Sequence, residues 1–485
     1  MLIDIDMRWR DMTYQTLSDI PAALRTENSS EGVRGQIKQL QDARARKIIV
    51  LDDDPTGVQT VHDIDVLTQW DKPLLQEAFR SSESLFYILT NTRGLDADTA
   101  ERINREIARN VQEVAAEEGT NFTFVSRSDS MLRGYYPLET DVLAEEVARV
   151  SGRAYDGQLI IPAFFEAGRV TIGNTHYMVE GEQLIPVHET EFAKDKVFGY
   201  EHGDLPSWVE EKTSGRIKAS RCLTISLEEI RQGVNVVKVI LLKAESNVPI
   251  IVNALSYADM DVLSLALLQA EDEGKAFIFR TAASFVKSYA GISDQAFLPK
   301  EQLIASGQEQ HGGIVVVGSY VQKTTRQLEQ LLTFPGIISL EIDVERVLTP
   351  DGYTEEIRRV IGEANRQLAK GNNVVVYSSR KLITVEGHEG NFKISQTVSS
   401  ALVEIVQSLE VVPKFIIAKG GITSSDVATK GLAIRKARVL GQVAAGIPVW
   451  LTGEEAKFSG IPYIVFPGNV GGERALLETV EKIEA

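Results

Sequence analysis

Twelve short apolar runs, separated by longer stretches with helical spacing, constrain this chain more than any other feature. Six lie in the first half, at residues 48–51, 85–89, 122–125, 159–161, 249–252 and 276–279. Six lie in the second, at 314–317, 337–340, 374–377, 415–418, 449–451 and 463–466. Between the second and third runs, Ile103, Ile107, Val111 and Val114 recur at i, i+4, i+8 and i+11, one apolar stripe among charged residues. Strands alternating with helices imply βαβ units and a largely parallel sheet. The alternation stops and restarts, so the expected fold is α/β with two domains, each a largely parallel sheet flanked by helices, and an active site in the cleft between them.

At 485 residues the chain is long enough for two such domains. Residues 1–46 are polar, lack a strand-like run, and are expected to be a helical or irregular extension. The domains are expected at 47–300 and 311–485, with the polar stretch 299–313 as linker. Segment 165–220 is rich in Gly, His and charge and has weak periodicity, which in a compact domain usually marks function. The spacing of Ile357, Val360, Ile361, Ala364 and Leu368 predicts a helix over 355–370, with Gly371 as its C-cap.

The polar clusters that follow the runs carry the chemistry, because open α/β sheets bind ligands beyond the C-terminal ends of their strands. In the first half these are Asp52-Asp53-Asp54-Pro55-Thr56-Gly57, Thr90-Asn91-Thr92-Arg93-Gly94, Ser126-Arg127-Ser128-Asp129-Ser130 with Arg133-Gly134, and Pro162 to Phe164 with Gly168-Arg169. Together they offer carboxylates, hydroxyls and guanidinium groups. Arginine binds a carboxylate bidentately, and aspartate accepts from sugar hydroxyls or takes a proton from an attacking one. That combination suits a small polyhydroxy acid. His176 could touch such a ligand or be a satisfied core histidine.

The second half offers glycine turns instead: Gly318-Ser319, Lys419-Gly420-Gly421-Ile422-Thr423-Ser424-Ser425, and Pro467-Gly468-Asn469-Val470-Gly471-Gly472. Glycines at strand-to-helix turns let backbone N–H groups approach phosphate oxygens. The middle turn is expected to open a short helix with Ser424, Ser425 or Asp426 as N-cap.

Several classes lose support. Net charge is −17 and no Lys/Arg run occurs, which disfavours nucleic acid and anionic membrane surfaces. A single cysteine, Cys222, precludes an intrachain disulfide and fits a reducing, cytoplasmic compartment. No uncharged apolar run approaches membrane-spanning length. There is no GxxxxGK[ST] loop, no strand-linked GxGxxG, and no zinc-like spacing among the six histidines.

The motifs together resemble the four-carbon acid sugar kinase family, in order, from about residue 48 to 475. Asp53-Asp54-Pro55-Thr56-Gly57 is similar to its Asp-Asp-Leu-Thr-Gly pattern and Thr90-Asn91-Thr92-Arg93 to its Thr-Asp-Thr-Arg pattern. Arg127 to Gly134 is similar to Lys-x-Asp-Ser-Thr-Leu-Arg-Gly, and Phe192-Ala193-Lys194-Asp195 to Phe-Ala-x-Asp. Gly318-Ser319, Gly420 to Ser424 and Gly468-Asn469 resemble its three ATP turns. Pro55, Asn91, Arg127 and Met131 depart from the pattern, mostly in the expected sugar site, and leave open which four-carbon acid is taken.

The resemblance implies a kinase that uses ATP and Mg2+ on a hydroxyl of a threonate, erythronate or 3-oxo-tetronate. It implies Asp53 and Asp129 as candidates for the general base. Asp54, Thr56, Arg93, Arg127, Ser130, Arg133, Gly168 and Arg169 would contact the sugar acid. Ser319, Gly420, Gly421, Ile422, Thr423, Ser424 and Gly468 would hold ATP. No protein ligand for Mg2+ is assigned, and a homo-oligomer is compatible with the reading. The competing readings are an inactive sensor of the same fold, or a sugar-acid aldolase or dehydratase.

Overall fold

The computed structural model describes residues 14–25, 32–319, 321–380, 388–468 and 470–485. The chain divides into two units, Met1–Gly57 with Trp70–Asp294, and Val58–Gln69 with Gln295–Ala485. It therefore changes unit early. Strand β1 (Arg46–Asp52) belongs to the first, β2 (Ile64–Leu67) to the second, and β3 (Leu85–Leu89) to the first again.

The first unit continues with β4 (Asn121–Arg127), β5 (Gly157–Ile161), a small sheet of β6 (Arg169–Ile172), β7 (Thr175–Glu180) and β8 (Gln183–Pro186), then β9 (Leu223–Ile225), β10 (Val248–Val252) and β11 (Phe277–Thr281). Its main sheet runs β3-β1-β4-β11-β5-β10-β9, all parallel. Parallel strands are covered on both faces and so read as continuous apolar runs; Ile48, Ile49 and Val50 are fully buried. The striped helix spans Ala97–Glu117, opens on the Asp96 carboxylate accepting from the Thr99 N–H at 2.9 Å, and buries Ile103, Ile107, Val111 and Val114. The order reverses at β1: the chain first places β3 on one side and then β4 on the other. The switch point thus lies between β1 and β4, where Asp52 pairs with Arg127 in register.

Segment 165–220, weakly periodic in sequence, contains the antiparallel β6-β7-β8 sheet. Its buried Val170, Ile172, Tyr177 and Leu184 pack against Tyr14, Ile20 and Leu24. The polar N-terminal stretch therefore contributes core residues, and it carries helices Ala22–Arg25 and Val33–Ala43.

In the second unit, β12 (Ile314–Val317), β13 (Ile338–Ile342), β14 (Val374–Ser378), β15 (Ile416–Lys419), β16 (Lys436–Ala444), β17 (Ile447–Thr452) and β18 (Pro462–Phe466) join β2 in the order β13-β14-β12-β15-β18-β17-β16-β2. The first five in that order are parallel. The switch point falls between β12 and β15. Strand β16 alternates buried and half-buried residues, so it shows no continuous run; ion pairs at 3.2 Å from Arg438 and Lys436 to Asp65 tie it to β2.

Three local expectations change. The helix after β15 starts at Gly421 with Gly420 as N-cap, so Ser424, Ser425 and Asp426 lie inside it. The predicted 355–370 helix spans Pro350–Leu368, and Gly371, at φ 82°, follows its last turn and donates to the Leu368 carbonyl at 3.0 Å. The 299–313 stretch is no free linker: Leu303 and Ala305 are buried, and the Ala305 N–H donates to the Lys414 carbonyl at 2.7 Å. Among the described residues no helix is long and apolar enough to cross a membrane.

Candidate functional site

In the first unit, charged groups converge at the C-terminal ends of β1, β3, β4 and β11. Arg127 donates from Nη1 to Asp52 Oδ1 at 3.1 Å, and the same nitrogen lies 3.8 Å from Asp53. Arg93 sits among three carboxylates: Asp129 at 2.8 Å, Asp53 at 3.8 Å, and Asp54 in close contact. Arg133 donates through Nε to Asp129 at 2.8 Å and lies 3.8 Å from Asp195. The loop after β3 is fixed from beneath. Thr90 donates to the Asp52 carbonyl at 2.9 Å, and Thr92 donates to the buried Glu139 carboxyl at 2.7 Å.

The two candidate bases differ. Asp53 is 2% exposed; Ser128 donates to its Oδ2 at 3.0 Å, while Oδ1 has no hydrogen-bond partner among the described residues. Burial pushes its carboxyl above the ordinary range, against the pull of Arg93 and Arg127. Asp129 is also buried, but Arg133 and Arg93 overcome that effect and hold it well below the ordinary range. Asp54 is likewise held down, with burial opposed by Arg93 and by Thr56, whose N–H donates at 2.8 Å. Asp52 is pushed up to about 7 by burial, and Glu139 to about 7 by burial and the charge of Asp53.

Gly134 shows how tightly these groups pack. Its φ is +109°, and a Cβ there would lie 2.6 Å from Ser128 Oγ and 3.1 Å from Asp53 Oδ2. Arg169, at the start of β6, differs from the arginines above. It contacts the Met131 sulfur at 2.8 Å and the Ala167 carbonyl, and makes no ion pair among the described residues. Gly168 before it takes φ +68° to turn the chain into β6. Ser130 offers its carbonyl to His176, whose other ring nitrogen lies 2.8 Å from Thr171 Oγ1. His176 is fully buried and driven down to about 3, so it is a neutral support under the Ser128–Ser130 loop.

Arg280, on β11, was missed by sequence reasoning. It is 1% exposed, donates to the Arg133 carbonyl at 2.9 Å and the Asp129 carbonyl at 3.3 Å, and leaves Nε unpartnered. Its signal was an arginine directly after Phe-Ile-Phe in a strand otherwise built for the core. Glu139, in a helix first turn, gave no signal.

The second unit is built from other material. Its three turns follow three adjacent strands, with Val317 beside Lys419 and Lys419 beside Phe466 in register. The Gly420 N–H donates to the Phe466 carbonyl at 2.9 Å. Gly420 takes φ +111°, and a Cβ there would stand 3.2 Å from that of Ser319. Thr423 Oγ1 closes on Gly318, and Arg380 donates to the Ser319 carbonyl at 2.7 Å. Gly421 has no positive φ and begins the helix, Ile422 is 68% exposed, and the space beside Gly468 is open. Ser424 is turned inward, its hydroxyl donating to the Ala418 carbonyl at 2.7 Å. Asn469 lies outside the described residues. Among the described residues no group of three or more His, Cys, Asp or Glu is placed to hold a metal ion.

A polar, charge-lined cluster on one parallel sheet and a set of glycine turns on another define a two-unit α/β protein with a candidate site in each unit. Residues 48–289 match a sugar-binding N-terminal domain and residues 314–476 a nucleotide-binding C-terminal domain. That is the architecture of the four-carbon acid sugar kinase family, and the chain belongs to it. No curated protein matches the chain. Among solved structures it is similar to a Salmonella typhimurium LT2 protein described as a proposed tRNA synthase, at 16% identity and TM-score 0.66, over 89% of this chain and 98% of that one. It is also similar to a Haemophilus influenzae protein of family DUF1537, at 16% identity and TM-score 0.61, over 90% of this chain and 100% of that one. At such identity these likenesses speak for the fold alone.

Proposed function

We propose that this chain is a kinase that transfers the γ-phosphoryl group of MgATP to a hydroxyl of a four-carbon sugar acid of the threonate, erythronate or 3-oxo-tetronate type. The observation that carries the reading is Asp53, a buried carboxylate with one oxygen that accepts no hydrogen bond among the described residues, set 3.8 Å from two arginines at a switch point. A general base needs this: an acceptor not already hydrogen-bonded, and a proton affinity raised above the ordinary carboxylate range. Asp53 takes the hydroxyl proton as that oxygen attacks the γ-phosphorus, and the bond to the β-phosphate oxygen breaks to release ADP. Asp129, held ionised, accepts hydrogen bonds from sugar hydroxyls and is not the base. Arg169, which makes no ion pair among the described residues, takes the substrate carboxylate. Arg127 and Arg133 serve less as ligand contacts than as partners that hold Asp52 and Asp129 in place.

On the nucleotide side, Ser319, Gly420, Gly421, Thr423 and Gly468 line the phosphate turns, with Ile422 exposed beside them. Ser424 supports the turn from within. Mg2+ enters with ATP as part of the substrate. The test is ADP release by purified protein with MgATP and a panel of four-carbon acids. Stimulation by at least one acid is expected. ATP binding without stimulation by any would overturn the substrate class, and no ATP binding would overturn the kinase reading.

A further inference from the structure

Lys419 is the last residue of β15 and directly precedes Gly420-Gly421. Its side chain is fully buried. Its Nζ donates to the Pro467 carbonyl, and to the Gly468 carbonyl at 3.2 Å, and it sits 4.4 Å from the centre of the Phe466 ring. One amine thus ties the turn after β18 to the turn after β15. It makes no ion pair among the described residues.

That arrangement is unusual for a lysine. A buried ammonium needs a counter-anion or is strongly disfavoured. Two carbonyls satisfy the two N–H groups of a neutral amine, while an ammonium carries a third. Among the described residues, the groups on the elements beside β15 do not supply the missing anion. Lys323, on helix Gln322–Leu331, adds like charge; Arg380 is spent on Ser319 and Ser378; Asp426, on the helix after the turn, is paired with Lys430 at 2.7 Å and bonded to Ser399; and Tyr463 of β18 donates to the Ser424 carbonyl at 2.6 Å. Burial, reinforced by Lys323, brings the amine down to about 7.

We propose that Lys419 is the positioning residue and buried counter-charge of the nucleotide site: it locks the two glycine turns side by side and takes up a proton from solvent as phosphate groups settle on them. The proposal rests on the nucleotide reading above and adds a linkage to it. The balance is simple. The neutral amine plus one proton gives the ammonium, no covalent bond to the ligand forms, and the phosphate charge supplies the missing counter-ion. One phosphate charge within ~6 Å would strengthen proton binding by well over tenfold. Affinity for MgATP should therefore fall as pH rises above 7.

The test is calorimetric titration of the full chain with MgATP at pH 8, in buffers of contrasting ionisation enthalpy, together with binding measured at pH 7 and 9. At pH 8 phosphate groups are past their second ionisation, near ~6, so the ligand does not obscure the count. Wild type is expected to take up the better part of one proton and to bind roughly tenfold more weakly at pH 9 than at pH 7. In Lys419→Met uptake should vanish and affinity become low and flat with pH. In Lys419→Arg a permanent cation should restore affinity at pH 9 without uptake. If wild type binds MgATP with neither uptake nor pH slope, the proposal is overturned, whatever the variants do. Uptake that persists in Lys419→Met assigns the proton elsewhere and also overturns it. Absence of MgATP binding by wild type at either pH would overturn the nucleotide reading itself.

Discussion

The two units place their sites at the same point of similar sheets and build them from opposite materials. In the first, the strands around the switch point end in side-chain charge: four aspartates, with arginines 93, 127, 133 and 280, largely buried and cross-linked by ion pairs. In the second, they end in glycine turns whose polar groups are backbone, hydroxyls and one buried lysine. The contrast teaches what each is suited to hold. A small polyhydroxy acid must be read group by group, which takes directional side chains. A phosphate chain can be held by N–H groups that any sequence supplies, provided no Cβ intrudes. The first site should therefore be fragile to charge changes, and the second to added carbon.

The largest effect is expected from Asp53→Asn. The amide keeps the shape and the Ser128 hydrogen bond but cannot accept a proton, so kcat should fall by ~10²–10⁴ with sugar-acid binding nearly retained. Asp129→Asn should weaken sugar binding more than kcat. Steady-state kinetics beside calorimetry separates the two; equal kcat losses would erase the distinction drawn between these carboxylates.

Next comes Arg127→Ala, which strands the buried Asp52. Breaking a buried pair from one side costs about 3–5 kcal/mol, to be read as a lower urea midpoint. Gly468→Ala, whose Cβ would enter open space, should leave stability within about 0.5 kcal/mol of wild type. Similar losses in both variants would break the comparison.

A smaller effect is expected from Gly420→Ala. The positive φ and the close Ser319 side chain oppose a Cβ, so the KM for ATP should rise about tenfold from ~1–3 kcal/mol of strain. Calorimetry should find sugar-acid binding unchanged. Loss of sugar binding instead would invert the assignment of ligands to units.

The smallest effects are pH slopes of opposite sign. Asp52 and Glu139 are raised to about 7 in the fold, so the stability they contribute is present below the ordinary carboxylate range and is lost as pH rises through 7. Lys419 is lowered to about 7, so its contribution is present above the ordinary lysine range and is lost as pH falls through 7. Each titrating group contributes at most about 1.4 kcal/mol per pH unit. Hydrogen exchange, corrected for intrinsic rate, should show β1 and β4 losing protection from pH 5 to 7 and β12 and β15 gaining it from pH 7 to 9. Slopes of the same sign in both units would contradict this.

The parallel strands were legible because burial on both faces writes them as unbroken apolar runs, and their polar ends are where both candidate sites were sought. Strand β16 was not legible, because one face is half-buried and its pattern alternates. Strand β2 was hidden for a different reason: it is short, and it serves a unit whose other residues begin more than two hundred positions later. Tyr14, Ile20 and Leu24 looked like parts of a polar extension, since three core residues cannot dominate the composition of such a stretch. Within the first site, Asp53, Arg93, Arg127 and Asp129 were named from sequence, but which carboxylate is charge-neutralised and which is free depends on side chains meeting across strands. Arg280 and Glu139 stayed hidden because neither belongs to a polar cluster at a strand end that the sequence singles out, and only packing shows what each faces. Lys419 stood inside a recognised turn, yet its role depends on carbonyls nearly fifty residues away.

The central claim is tested most directly by identifying the product. Incubation with MgATP and each acid of the four-carbon panel, followed by phosphorus NMR and mass spectrometry, should show ADP and a phosphate monoester of one or more acids appearing in equal amounts. Wild type and Arg133→Lys should form it, and Asp53→Asn should form it at least ~100-fold more slowly. ADP with free inorganic phosphate and no organic monoester, or a monoester formed equally fast by Asp53→Asn, would contradict the account.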